Sequence, residues 1–225
     1  MITVSQNWRD TYPGASVGVL VMHRVSNPAR HHILDMRKAE LEAQLRDRFA
    51  SCTRSDLKAL EPIKAYDAYL KPFKKTYQVQ LQLESVIFKG KSIPLVAALV
   101  EVMFMAELQD LLLTAGHDLE ALQLPVTIGI AKGDESYIGL TGEEQTTKAG
   151  DMIISDKAGI ISSVAYGPDQ RTRIVTGTQN VLFTTYAPTG IMHDAVREHL
   201  HHIESNVLLV APEAKVEILD VYGTS

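Results

Sequence analysis

Ser162, Ser163, Tyr166, Asp169, Arg171, Thr172 and Arg173 fall within one short segment of the chain. Their types suit the capture of a small polar group. A carboxylate such as Asp169 pairs with an amino group, and guanidiniums such as Arg171 and Arg173 hold a phosphate. Hydroxyls and backbone N–H groups place a water and stabilise an oxyanion. No Ser-His-Asp or Cys-His order accompanies them. The run Gly167-Pro168-Asp169-Gln170 also has the composition of a plain turn. On residue types alone both readings stand.

The histidines suggest a different chemistry and do not sustain it. His193, His199, His201 and His202 share one stretch that reads as a helix. Three or four ligands converging from different elements make a metal site; these lie along one element. Val196, Leu200 and Ile203 form its core face and leave His201 and His202 toward solvent. His31-His32 begin another helix, and His117 reads as a satisfied cap at a helix C-terminus. No metal and no cofactor is expected. The glycines of Thr127 to Gly142 form no dinucleotide fingerprint, and Gly90-Lys91-Ser92 lacks the upstream glycine of a phosphate loop.

Composition narrows the function classes. The chain has 225 residues, 45% hydrophobic and 22% charged, with net charge −5. One domain spanning 1–225 is expected, with a core that needs no staples. Proteins that live on nucleic acid carry a basic surplus. Here any RNA contact has to be local, and no DNA partner is expected. The compact basic cluster Lys71, Lys74 and Lys75, interleaved with Phe73 and Tyr77, reads as a phosphate patch or as a solvated helix end. The single cysteine, Cys52, excludes an internal disulfide. Met1 to Asp10 is polar, unlike a signal peptide. The apolar run Ile93 to Ala106 contains Glu101 and is closed by Glu107, short of the ~20 residues of a membrane span. A cytoplasmic protein with no membrane segment is expected.

The elements that must position these residues change character along the chain. Val17–Met22 reads as a buried strand. Asn27-Pro28 reads as a helix start, with the helix running to about Phe49. A second helix spans Pro62–Leu70. Gln78–Phe88 fits a strand and a helix equally well. Pro94 to about Ala115 reads as the longest helix, closed by Gly116 in the left-handed conformation. Short β-rich runs follow: Val126–Ile130, Tyr137–Leu140, Met152–Ser155, Gly159–Tyr166, Arg173–Thr176 and Val181–Tyr186. Lys132-Gly133-Asp134 and Thr141-Gly142-Glu143 supply turns. A helix from about Gly190 to His202 and strands at Val207–Val210 and Val216–Val221 complete the chain. Helices first and strands second is the α+β order, a helical half packed on a mostly antiparallel sheet.

The stretches GKSIPLVAALVEVMFMAELQDLLLTAGHDLEAL and VTIGIAKGDESYIGLTGEEQTTKAGDMIISDKAGIISSVAYGPDQRTRIVTGTQNVLFTTYAPTGI resemble the B3/B4 domain of the phenylalanyl-tRNA synthetase β subunit. The similarity runs from about Lys71 to Tyr222 and is distributed along that span. It favours helix over strand for Gln78–Phe88. In the synthetase this domain is the editing site, which hydrolyses the ester of tyrosine wrongly attached to the phenylalanine tRNA. The resemblance therefore implies a pocket between the loop Tyr166–Thr172, the strand Phe183–Tyr186 and the helix carrying Met103 and Phe104. It implies a free-standing domain that hydrolyses a mischarged aminoacyl-tRNA in trans. The alternative is a non-catalytic module that binds RNA, an amino acid or a protein in the same pocket.

Carried over by position, the loop glutamate of the family falls on Asp169, and the small pocket residue of the last strand on Thr184 or Thr185. Asp169, Ser163 and Thr185 are the implied catalytic residues. Met103, Phe104, Tyr166, Arg171, Thr172, Thr184 and His117 are the implied substrate contacts. The family's second histidine in the Gly116-His117 turn is replaced by Glu120. Its polar pair on the buried helix is replaced by Met103-Phe104. An apolar floor gives a tyrosine hydroxyl no partner, so an apolar or small amino acid is expected in its place.

Overall fold

The computed structural model describes residues 2–223. The chain opens with strand β1 (Ile2–Val4) and helix α1 (Gln6–Thr11), followed by β2 (Ser16–His23). Helices α2 (His32–Arg48), α3 (Arg54–Lys58), α4 (Glu61–Leu70), α5 (Gln78–Lys89) and α6 (Ala98–Asp110) come next. Strands β3 (Leu113–Asp118), β4 (Val126–Ile130), β5 (Ser136–Ile138), β6 (Glu144–Thr146), β7 (Met152–Asp156), β8 (Gly159–Ser163), β9 (Gly167–Pro168) and β10 (Asn180–Ala187) follow. Helix α7 (His193–Val210) and strand β11 (Lys215–Gly223) close the order. The class is α+β, as the sequence implied. Among the described residues no helix is long and apolar enough to cross a membrane.

The strands form a four-stranded sheet β11-β2-β10-β3, a five-stranded sheet β1-β4-β7-β8-β9 and the hairpin β5-β6. All pairings are antiparallel except that of β1 with β4. Helix α7 lies on β2, where Gly18 makes the approach possible: a Cβ there would sit 2.7 Å from Cγ1 of Val196. A continuous buried cluster joins Trp8, Leu20, Leu34, Tyr66, Leu83, Leu99, Ile154, Phe183 and Leu200, drawing on both halves of the chain.

Several local expectations are corrected. Asn27 does not start the helix that follows it; α2 begins at His32. The buried Asn27 side chain instead caps α6 across the fold, accepting from Leu99 N at 2.9 Å and donating to Val175 O at 2.8 Å. The helix expected over Pro94–Ala115 spans only Ala98–Asp110 and ends on Leu111 in the left-handed conformation. Leu113–Asp118 then pairs with β10 as an edge strand, because the buried sheet takes its apolar residues and its ladder bonds. Gly116 belongs to that strand, where a Cβ would sit 2.6 Å from Cδ1 of Ile174.

Val207–Val210 continues α7, because Val207 and Val210 extend the buried face of Val196, Leu200 and Ile203 at helical spacing. Arg173–Thr176 is not a strand; only Arg173 bridges to His117. The polar N-terminus forms β1 and α1, with Trp8 fully buried. Gln78–Lys89 is helical, and Tyr77 and Phe73 of the basic cluster are core residues rather than surface aromatics.

Candidate functional site

A cavity of about 420 Å³ opens where α5, α6, the edge strand β3 and the turn after β8 meet. Strand β3 is the outer strand of its sheet, and helix side chains satisfy part of its free edge. Leu113 N donates to Tyr66 Oη at 2.8 Å, and Thr114 N donates to Glu107 Oε1 at 2.8 Å. Such covering of an edge keeps it from pairing with another chain. Met103 and Phe104 supply an apolar side of the cavity, together with Val79 and Ile174. Lys75, Arg173 and Tyr166 also line it, with Lys75 Nζ 4.6 Å from the Tyr166 ring centroid. Small sites of this kind combine an apolar lining with a few oriented polar groups.

Ser163 is one of those polar groups. Its Oγ donates to the buried carboxylate of Asp151 and accepts from Tyr166 N at 3.0 Å. Asp151 also accepts from Tyr69 Oη at 2.6 Å. Burial pushes the Asp151 carboxyl above its ordinary range, against the hydrogen bonds from Ser163 and Tyr69. The serine hydroxyl is thus fixed in direction by a fully buried acidic side chain.

Asp169, Arg171, Thr172 and His117 are brought together, but outside the cavity lining. Asp169 is 3% exposed, not a residue of a solvent-facing turn. Its Oδ1 accepts from Thr172 N at 3.0 Å and from the Thr172 hydroxyl. Arg171 Nε lies 3.5 Å from Asp169 Oδ2, while its terminal nitrogens reach both oxygens of Asp156 at 2.9 and 3.1 Å. Having given its proton to Asp169, the Thr172 hydroxyl accepts from His117 Nδ1 at 2.8 Å. His117 sits in β3 and not at a helix end, with Nε2 buried and unpaired. Burial, with the nearby Arg171 charge, pushes its pKa down to about 3.

Thr184 and Thr185 are fully buried in β10 and do not line the cavity. Thr185 Oγ1 lies 3.2 Å from Thr114 Oγ1, the start of a network that composition gave no reason to connect. Thr114 Oγ1 is 2.7 Å from His199 Nε2, and His199 Nδ1 is 2.8 Å from Asp110 Oδ2. His202 Nδ1 joins the same carboxylate at 2.9 Å. His199 is therefore a core residue, while His201 is exposed. Among the described residues no three His, Cys, Asp or Glu side chains gather into a group suited to a metal ion.

Glu107 is the site residue that sequence reading passed over. It lines the cavity, is 3% exposed, and burial pushes its pKa up to about 8. A signal is present in the sequence: a carboxylate next to a long apolar run is rarely fully buried unless paired.

A family model described as B3/4 domain matches residues 62–207. The chain belongs to the B3/4 domain family. The match covers well over half of the chain and contains every residue that lines the cavity. Outside it lie β2 and β11, which complete the four-stranded sheet of this B3/4 protein. Among solved structures, the chain is similar to an N-terminal fragment of the phenylalanyl-tRNA synthetase β subunit from Pyrococcus horikoshii, with a TM-score of 0.49 and 12% identity. That alignment covers 96% of this chain and 50% of the fragment, so the chain spans about half of the fragment's length. Comparison with curated proteins finds no match.

Proposed function

We propose that this B3/4 chain holds the aminoacyl end of a charged tRNA in the cavity and hydrolyses its ester in trans. The observation that carries the reading is a single cavity with Met103 and Phe104 on one side and the carboxylate-held hydroxyl of Ser163 among its polar groups. An aminoacyl ester is already activated. Its hydrolysis needs a held substrate, a placed water and donors for the oxyanion, without a charged nucleophile. Ser163 directs the water, and Lys75 and Arg173 receive the terminal phosphate. Asp169, Arg171, Thr172 and His117 act behind the wall, fixing the segment that leads from β9 to Arg173. Thr184 and Thr185 hold β10, and with it the neighbouring edge strand, in place. The side chain accommodated beside Met103 and Phe104 is apolar or small.

The test is a panel of mischarged tRNAs incubated with the purified chain. Release of an apolar or small amino acid is expected, with Ser163→Ala slowing it by about 10²-fold or more, the scale of losing one oriented group. Tyrosyl-tRNA as the best substrate sinks the substrate assignment. A second reading, capture without turnover, is favoured by one observation: both Asp169 oxygens are already engaged by Thr172 and Arg171. Retention of charged tRNA on a filter with no amino acid released decides for it.

A further inference from the structure

Helix α6 carries two buried glutamates that differ in one respect. Glu101, 2% exposed, has its own cation: Lys38 Nζ lies 2.9 Å from Oε1, and Val96 N donates to the same oxygen at 3.0 Å. Glu107, 3% exposed, has none. Among the described residues its only hydrogen-bond donor is Thr114 N, at 2.8 Å on Oε1. No described lysine, arginine or histidine forms an ion pair with it.

The groups that face Glu107 from neighbouring elements are spoken for. Tyr77 of the α5 entry gives its proton to Leu111 O at 2.9 Å, and Tyr66 of α4 gives its proton to Tyr186 O. The cavity cations lie elsewhere, Lys75 on the Tyr166 ring and Arg173 on Gln170 O at 2.9 Å. On α7, His199 and His202 point their Nδ1 atoms at Asp110. A buried carboxylate without a partner is unstable as an ion and is held neutral. Glu107 also lines the cavity. The missing counter-ion therefore has a way in.

We infer that Glu107 is the anchor for a primary ammonium group, so that the cavity takes a small ligand with an ammonium at one end and an apolar body beside Met103 and Phe104. This rests on the proposed reading, in which the group is the α-ammonium of the aminoacyl ester. It shifts that task from Asp169, whose oxygens are engaged, to Glu107. The proton balance is explicit. The neutral carboxyl and the ammonium ligand combine into a carboxylate–ammonium pair, and one proton leaves for solvent. The free carboxyl titrates near 8 and an α-amino group near 7.7–8.0, so below neutrality each bound ligand releases close to one proton. The apparent affinity then rises about tenfold per pH unit from pH ~5.5 to ~7.

Two probes that cannot be hydrolysed under these conditions make the test: L-leucinamide, which has the ammonium, and N-acetyl-L-leucinamide, which does not. Calorimetric titration at pH 6.5 in two buffers of different ionisation heat counts protons. We expect leucinamide to bind with close to one proton released, and the acetylated probe to bind at least about tenfold more weakly with none. Glu107→Gln, which keeps the acceptor for Thr114 N, should erase the difference between the probes. Equal affinity for the two probes, binding without proton release, or no leucinamide binding at ~10 mM overturns the inference. Should Glu107→Gln fail to fold, the wild-type proton count and probe preference still decide. Inactivity on charged tRNA with proton-linked leucinamide binding intact sinks only the hydrolase reading. Hydrolysis without probe preference sinks only this one.

Discussion

His199 Nδ1 lies 2.8 Å from Asp110 Oδ2 in the seam between α6 and α7, and His202 Nδ1 shares that carboxylate at 2.9 Å. Burial opposes ionisation of Asp110, yet the two histidine hydrogen bonds hold its pKa below the ordinary value. The Asp110 hydrogen bond in turn raises the pKa of His202.

The pH consequence follows from the two signs. The raised His202 contributes stability that is present below pH ~6.5 and is lost as pH rises through its higher folded pKa. The lowered Asp110 contributes stability that is present above pH ~3.9 and is lost as pH falls through its lower folded pKa. The network therefore stabilises most between about pH 4 and 6.5. His202→Ala is expected to flatten the fall in melting temperature across pH 6–9. An unchanged slope counts against the assignment.

Asp169→Ala should destabilise the fold. The carboxylate is buried and accepts from both the N–H and the hydroxyl of Thr172, which in turn accepts from His117. Removing it leaves buried donors unpaired, at a cost of about 1–3 kcal/mol. Urea unfolding measures this, and a change below ~0.5 kcal/mol, the ordinary surface value, shows that the cluster contributes little.

Limited proteolysis should release no stable fragment beginning near Val126. Among the described residues strand β11 pairs only with β2, and β10 lies between β2 and β3, so a fragment of 126–225 loses both neighbours of β10 and the described neighbour of β11. A folded, cooperative 126–225 fragment would contradict the expectation of one domain.

Phe104→Asn puts a polar hand back on the lining of the cavity. The expected result is a rise in tyrosyl over aliphatic aminoacyl hydrolysis of about tenfold or more, the scale on which a site gains by pairing a substrate hydroxyl. Comparative hydrolysis rates decide it. An unchanged ratio shows that Phe104 does not meet the substrate side chain.

Some of this was legible in the residues. The α+β order, the strand Val17–Met22, the helix near Pro62–Leu70 and the β-rich second half follow from periodicity and turn composition, which are local properties. The resemblance favours helix for Gln78–Phe88, where an alternating pattern and a helical one are superimposed, and α5 spans Gln78–Lys89. Ser163, Tyr166, Met103 and Phe104, which the resemblance implies around one pocket, all line the cavity.

What the tertiary structure decided were pairings between distant residues. Asn27 has the chemistry of a cap, but the helix it caps begins at Ala98 because burial brings Leu99 N within 2.9 Å of it. Leu113 to Ala115 reads as the end of a helix closed by Gly116, yet β10 offers Leu113–Asp118 a ladder and makes it a strand. Asp169 has the composition of an exposed turn residue, but bridges to Gly139 and is enclosed by the chain around it. Glu107 differs from Glu101 only in what surrounds it. Lys38 reaches one carboxylate and no described cation reaches the other, whose donor is Thr114 N, a difference set by packing across the fold rather than by either residue's neighbours in sequence.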